Sequence, residues 1–233
     1  MIYLIWGKKM KYKIVVIYAL VMLSTIAFSG CIEKNAVTYE VTFNATWSEE
    51  THPDDFPDTA HWSGLIGASH NDKVNFWRIG ELASTGIKNM AETGSKNPLN
   101  LEIGKAILAK NAFKLISGDP IGSSPGSISL EFKVSKNYPL VTLVTMIAPS
   151  PDWFVGVDSL NLLENGSFVD EKTVVLYAYD AGTDSGTTYT SPNDPTDPPE
   201  EIFKIEGYPF YYEGELVPLG TFTFKKIRED NIN

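Results

Sequence analysis

Between residues 37 and 44 apolar and polar side chains alternate without a break. Val37, Tyr39, Val41 and Phe43 fall on one side; Thr38, Glu40, Thr42 and Asn44 fall on the other. A period of two is what a strand with one buried face requires, because successive side chains point to opposite sides of a sheet. The same period returns at Ile128, Leu130, Phe132 and Val134, while residues 140–147 are apolar at nearly every position, as in a strand covered on both faces. Further strands are expected at 153–157, 173–179, 202–205 and 219–227, with a short one at 74–78. Turn-forming stretches separate them, among them SGDPIGSSPG at 117–126 and the Asp, Thr, Pro and Gly of 180–201. The chain is therefore expected to be all-β, an antiparallel β-sandwich. Two short helices interrupt the pattern. Ser84 can cap one that runs to Thr93 and closes at Gly94, and a second starts near Pro98 and reaches Ala109. Both are placed in one insertion after the first strand. Pro53 and Pro57 make 47–63 a long ordered loop, and 64–73 is read as a loop too.

One cysteine, Cys31, stands in 233 residues, so no disulfide can close within the chain and stability has to come from the core or from a metal. Hydrophobic residues at 43% are enough for such a core. The net charge of −10 argues against nucleic-acid binding, which needs basic patches against phosphate.

Residues 1–30 are expected to be an export signal. Lys8, Lys9, Lys11 and Lys13 precede an apolar run over 14–28. Fifteen helical residues reach only about 22 Å, short of the roughly 30 Å of a hydrocarbon core. A basic start, a short apolar run and a small-residue end describe a secretory signal, complete from Met10 onward. Phe28-Ser29-Gly30-Cys31 then resembles a lipoprotein signal box in which Cys31 takes the lipid; an ordinary cleaved signal and a retained helix are the alternatives. Residues 31–36 would be a tether and 37–229 the folded domain. Such a chain meets the membrane only through its signal or lipid and is otherwise exported, at the outer face of the cell membrane or secreted.

Two segments carry candidate chemistry, PSPDWFVG at 149–156 and DAGTDSG at 180–186, each following an expected strand. If those strands run in the same direction, Asp152, Asp180 and Asp184 converge. Carboxylates brought together repel, and a divalent cation removes the conflict. No His or Cys accompanies them, and an all-oxygen set suits Ca²⁺ better than Zn²⁺ or Mg²⁺. The competing reading makes them Asx-turn residues that bond their own loops, and spacing alone leaves both open.

The segments YEVTFNATWS (39–48), HPDDFP (52–57), HWSGLIGASH (61–70), GIKNMAETG (86–94), PSPDWFVGVDSL (149–160) and DAGTDSGTTYTSPN (180–193) resemble the spondin family, the N-terminal domain of F-spondin and mindin. The resemblance runs from about residue 39 to 227. It implies a C2-like antiparallel sandwich used in extracellular adhesion, with calcium held by the Asp of PSPD and the two of DAGTD, here Asp152, Asp180 and Asp184. A Glu linked in the family to a further metal-dependent role aligns with Lys133, so that role is not expected.

Other features have plainer readings. His52, His61 and His70 could be zinc ligands but are expected to be packed histidines. Asp184-Ser185-Gly186 superficially matches protease signatures without the partners that such chemistry needs. Asn44-Ala45-Thr46 and Asn165-Gly166-Ser167 fit the N-glycosylation pattern. The acidic stretch 49–58 reads as a solvated loop. Trp47, Phe56, Trp62, Trp77 and Trp153 read as packing rather than a carbohydrate platform. The function expected is calcium-dependent, non-catalytic binding or adhesion to a protein or glycan at the cell surface; the alternative is a carbohydrate- or solute-binding envelope lipoprotein. Cys31→Ser is expected to release the protein from the membrane fraction, and a variant that still sediments with membranes overturns the lipid anchor.

Overall fold

The computed structural model describes residues 36–229; the expected signal, most of the tether and Cys31 lie outside the described residues. The long alternating segment forms β1 (Val37–Ala45), whose Val37, Tyr39, Val41, Phe43 and Ala45 are all buried. Short β2 (His61–Trp62) and β3 (Ile66–His70) follow, then α1 (Thr85–Thr93), α2 (Leu99–Leu108) and β4 (Ala112–Ser117). Next come β5 (Gly126–Val134), β6 (Leu140–Ala148), β7 (Trp153–Asn161), the small β8 (Leu163–Glu164) and β9 (Ser167–Phe168), and β10 (Glu171–Leu176). The chain ends with β11 (Tyr179–Asp180), β12 (Phe203–Lys204), a hairpin of β13 (Tyr211–Tyr212) and β14 (Glu215–Leu216), and β15 (Gly220–Glu229).

Two antiparallel sheets face each other, as the sequence predicts. The smaller runs β10-β15-β1-β5 and the larger β12-β11-β7-β6-β3-β4, with β2 added on β6. Tyr39, Phe43, Phe132, Phe222 and Phe224 of the first meet Val141, Leu143, Ile147 and Val155 of the second. On the outer face of the larger sheet, Ile66, Val144, Met146 and Phe154 pack against Ile87, Met90, Leu99 and Ile103 of the helices. β6 thus feeds two cores from alternate residues, which is why its sequence shows no polar face.

Several local expectations change. Residues 74–78 form no strand: Phe76 and Trp77 are buried in irregular chain laid over the sheet. The strand lies earlier, at β3, where a loop is expected. β3 sits between β4 and β6 and is buried throughout, so it lacks the alternation that betrays a half-exposed strand. Its Gly67 is crossed so closely that a Cβ would stand 1.9 Å from the Thr142 carbonyl. The helices accordingly follow β3 rather than the first strand, and β4 has no counterpart among the strands expected from the sequence. The single strand expected over 173–179 is two, β10 in the smaller sheet and β11 in the larger.

α1 is closed as its sequence predicts. The Ser84 hydroxyl accepts the Ile87 N–H, and Gly94 ends the helix in the left-handed region at φ 67°. In α2, Gly104 is half-buried, with nothing within 4 Å of where a Cβ would be. Gly104→Ala is expected to raise stability by about 0.5–1 kcal/mol, read as a higher denaturation midpoint with unchanged slope.

Candidate functional site

The β6–β7 turn carries Asp152. Ser150 fixes it by accepting the Trp153 N–H at 3.1 Å. The second segment enters through a change of sheet. β10 ends at Leu176, Tyr177 and Ala178 cross over, and β11 pairs with β7 as Tyr179 opposite Phe154 and Asp180 opposite Trp153. The crossing is held by the Ile205 N–H donating to the Ala178 carbonyl at 3.0 Å and by the Lys204 ammonium over the Tyr177 ring. One step on, the Ala181 N–H donates to the Asp152 carbonyl at 3.2 Å. The two loops are thus brought to one place, although the strands expected to carry them lie in different sheets.

Asp152 is fully buried. Its Oδ2 accepts three bonds, from the Thr183 N–H at 2.7 Å, the Asp184 N–H at 3.1 Å and the Thr183 hydroxyl at 3.1 Å. Its Oδ1 is buried with no partner among the described residues. Burial pushes this carboxyl upward, the donors oppose it, and the Asp184 charge adds to the rise. Asp180 Oδ1 accepts the Gly182 N–H at 2.7 Å. Burial and the Asp152 charge push Asp180 up to about 7, against the Gly182 and Trp153 donors. Gly182 stands at φ 71°, where a Cβ would meet the Glu200 carbonyl at 2.2 Å, so no side chain fits that turn. Asp184 is 5% exposed; its Oδ1 accepts the Gly186 N–H at 2.9 Å and its Oδ2 the Asp194 N–H at 3.1 Å.

Asp184 therefore behaves as the Asx-turn reading requires, both oxygens bonded into its own loop. Asp152 does not: it joins two loops and keeps one oxygen unmatched. As the side chains stand, no group of three or more His, Cys, Asp or Glu able to hold a metal ion forms among the described residues. The donor chemistry still fits a hard cation. It is all oxygen, it includes a buried carboxylate oxygen without a partner, and no Lys or Arg among the described residues forms an ion pair with the three acids. Thr183, Asp194 and Glu200 complete the cluster. No motif marks them, because they lie within a long turn-rich stretch and act through main-chain groups, a hydroxyl and, for Glu200, a charge near Asp180.

The remaining candidates separate. His52 bonds Thr51 Oγ1 at 2.9 Å and the Val217 carbonyl at 3.2 Å; His61 bonds the Thr59 carbonyl at 2.7 Å; His70 bonds Thr142 Oγ1 and the Asn71 carbonyl, both at 2.8 Å. Burial lowers the pKa of His52 and of His70. Trp47, Trp62, Trp77 and Trp153 are buried, and Phe56 packs on Trp47, so they are core and form no open platform. The exposed aromatics among the described residues are instead Phe203, Tyr208, Tyr211 and Tyr212. The Ser185 hydroxyl lies 2.8 Å from the Thr196 hydroxyl. Asn44 and Asn165 are exposed, and Lys133 lies on β5 opposite Thr38.

Known proteins show the same pattern over most of the chain. The Spondin_N family model matches residues 37–215. Spondin-2 of Rattus norvegicus is 36% identical over 216 residues, 86% of this chain and 65% of the relative, and spondin-2 of Homo sapiens matches to the same extent. Spondin-1 of Gallus gallus is 39% identical over 181 residues, 74% of this chain and 22% of the relative. The chain thus spans less than two thirds of the length of each of these relatives.

The raised pKa values of the buried acids are expected to make the stability of the fold depend on pH. An acid whose folded pKa is raised binds more protons folded than unfolded, so its stabilising effect is complete below the unfolded value near 4 and is lost as pH rises toward the folded value. In EDTA, Tm is expected to decline between about pH 4 and 7 through this contribution. Asp180→Asn keeps an acceptor for the Gly182 N–H and is expected to flatten that decline and raise Tm at about pH 8. A decline of the same steepness in the variant shows that Asp180 is not its source.

Proposed function

This chain belongs to the Spondin_N family, and from that premise we propose that it is an exported, non-catalytic binding module whose Asp152, Asp180 and Asp184 hold a calcium ion. The observation that carries the reading is the unmatched Oδ1 of Asp152, buried beside two further carboxylates with no cationic side chain paired to them among the described residues. Calcium takes six to eight oxygens in loose geometry and supplies the positive charge this cluster lacks. Asp152 would contribute its unmatched Oδ1 and Asp180 the lone pairs left by its Gly182 and Trp153 donors. Asp184 would share the lone pairs left by its bonds to the Gly186 and Asp194 N–H groups. Neighbouring main-chain carbonyls would complete the set.

The placement of the loops supports a role in binding. Val37 pairs with Glu229 and Ala45 with Gly220, so both ends of the described chain lie at one pole. Leu176, which leads into the Asp180 loop, also pairs with Gly220 and so lies at the other pole. A chain tethered through Cys31 would present the acidic loops away from the membrane, toward a protein or glycan on an opposing surface. The ion would hold the two loops in one arrangement and lower the ordering cost of binding.

Extracellular calcium modules bind at about 10⁻⁴–10⁻³ M. About 2 mM calcium would then stabilise the fold by roughly 0.6–1.8 kcal/mol, a rise in Tm of a few degrees. Asp180→Asn combined with Asp184→Asn is expected to remove that rise while leaving a cooperative transition in EDTA. Equal melting of the unaltered protein with calcium and with EDTA overturns the metal site.

A further inference from the structure

Both sheets end on the same side of the sandwich, and the two edges leave a gap. β7 is paired with β6 along its length, but on its other side β11 covers only Trp153 and Phe154. The Ala181 N–H bond to the Asp152 carbonyl fixes the phase of that side. With a period of two, the main-chain N–H and C=O of Gly156 and Asp158 point the same way. No strand or loop among the described residues bonds them. Across the gap, β10 is the last strand of its sheet.

A groove of about 440 Å³ runs between the edges, walled by Trp77, Ile79, Leu160, Val174 and Val175. Ile79 is 52% and Val175 50% exposed. Trp77 is only 5% exposed, yet its indole N–H has no acceptor among the described residues. The one acid of the groove, Asp158, is met at 3.2 Å by Arg78, so the site carries a charge of each sign and no excess.

Exposed edges are ordinarily guarded by charges, prolines or bulges. Here Ser159, at φ 50°, interrupts the edge only beyond Asp158, where the β6–β7 register shifts, and the Asp158 charge is already neutralised. Unpaired strand groups between apolar walls recognise another extended backbone, whose alternate side chains fill the pockets. The volume is that of a small-ligand cleft; it takes a few residues of one strand, not the edge of a second sandwich. We infer that this groove binds an extended, uncharged peptide segment of a partner protein, which adds to β7 at Gly156 and Asp158 where β11 stops. Its side chains rest on Val174, Val175 and Ile79. The site stands whether or not the acidic loops hold calcium.

The probe is an acetylated and amidated peptide of sequence STVTVTS, which carries no charge, added to the full chain and followed by amide hydrogen exchange. Saturation is expected to slow exchange at Gly156 and Asp158 by about tenfold or more. The same peptide N-methylated at alternate residues, unable to join a ladder, is expected to leave them unchanged. Val175→Arg, on an exposed edge position, is expected to weaken binding by about fivefold or more with Tm retained. Unchanged exchange at the solubility limit of the peptide, equal binding of the N-methylated peptide, or protection that rises with protein concentration alone overturns the inference. The last of these would assign the edge to self-association.

Discussion

Two residue pairs, Tyr179 with Phe154 and Asp180 with Trp153, join a chain that has just left one sheet to the edge of the other. Everything at the acidic pole depends on that short ladder. It closes the sandwich at one corner, sets the Asp152 carbonyl against the Ala181 N–H, and places the Asp152 carboxylate under the main chain of Thr183 and Asp184. The aromatic packing behind it is dense. Trp77, Phe154 and Tyr179 meet on the helix side, and Trp153 meets Tyr189 and Phe210 on the other. The corner is therefore densely packed where the acids stand, which favours keeping the carboxylates close.

Burying that charge is costly, and the fold meets the cost in more than one way. Three donors converge on one oxygen of Asp152, and Asp184 is bonded at both oxygens, so much of the charge is shared with main-chain dipoles. What is left falls on the second oxygen of Asp152 and on Asp180, whose raised pKa favours a bound proton. On the proposed reading, a proton and a divalent ion would compete for the same cluster. This links the reading as a calcium module to the pH sensitivity of the metal-free protein.

The same change of sheet has a second consequence. Because β11 is only two residues long, the strand that closes the acidic corner leaves the rest of the β7 edge without a partner among the described residues. The loop containing Trp77 and Ile79 lies along this opening without bonding the exposed main chain. One topological event thus builds a polar cluster and an apolar groove a few residues apart on the same strand.

Much of this was legible in the sequence. Alternation located β1 and β5 because each has one face toward the core and one away from it, and a continuous apolar run located β6 because helices cover its outer face. Ser84 and Gly94 marked the ends of α1 through local bonds that need no tertiary partner. The three aspartates stood out from motif and residue type, and they do gather at one corner. Hidden from the sequence were β3 and β4, the split of residues 173–179 between two sheets, and the partners of the acids. β3 is small, partly polar and buried on both sides, so no periodicity marks it, and its place is set by how closely β6 crosses Gly67. The break at Tyr177 and Ala178 leaves no turn residue to read, because the chain is redirected by the distant Lys204 and Ile205. Local chemistry determined which residues can be strand, helix or ligand; only tertiary packing decided that Asp152 is buried with one oxygen unmatched, because that depends on which main-chain groups from elsewhere reach it.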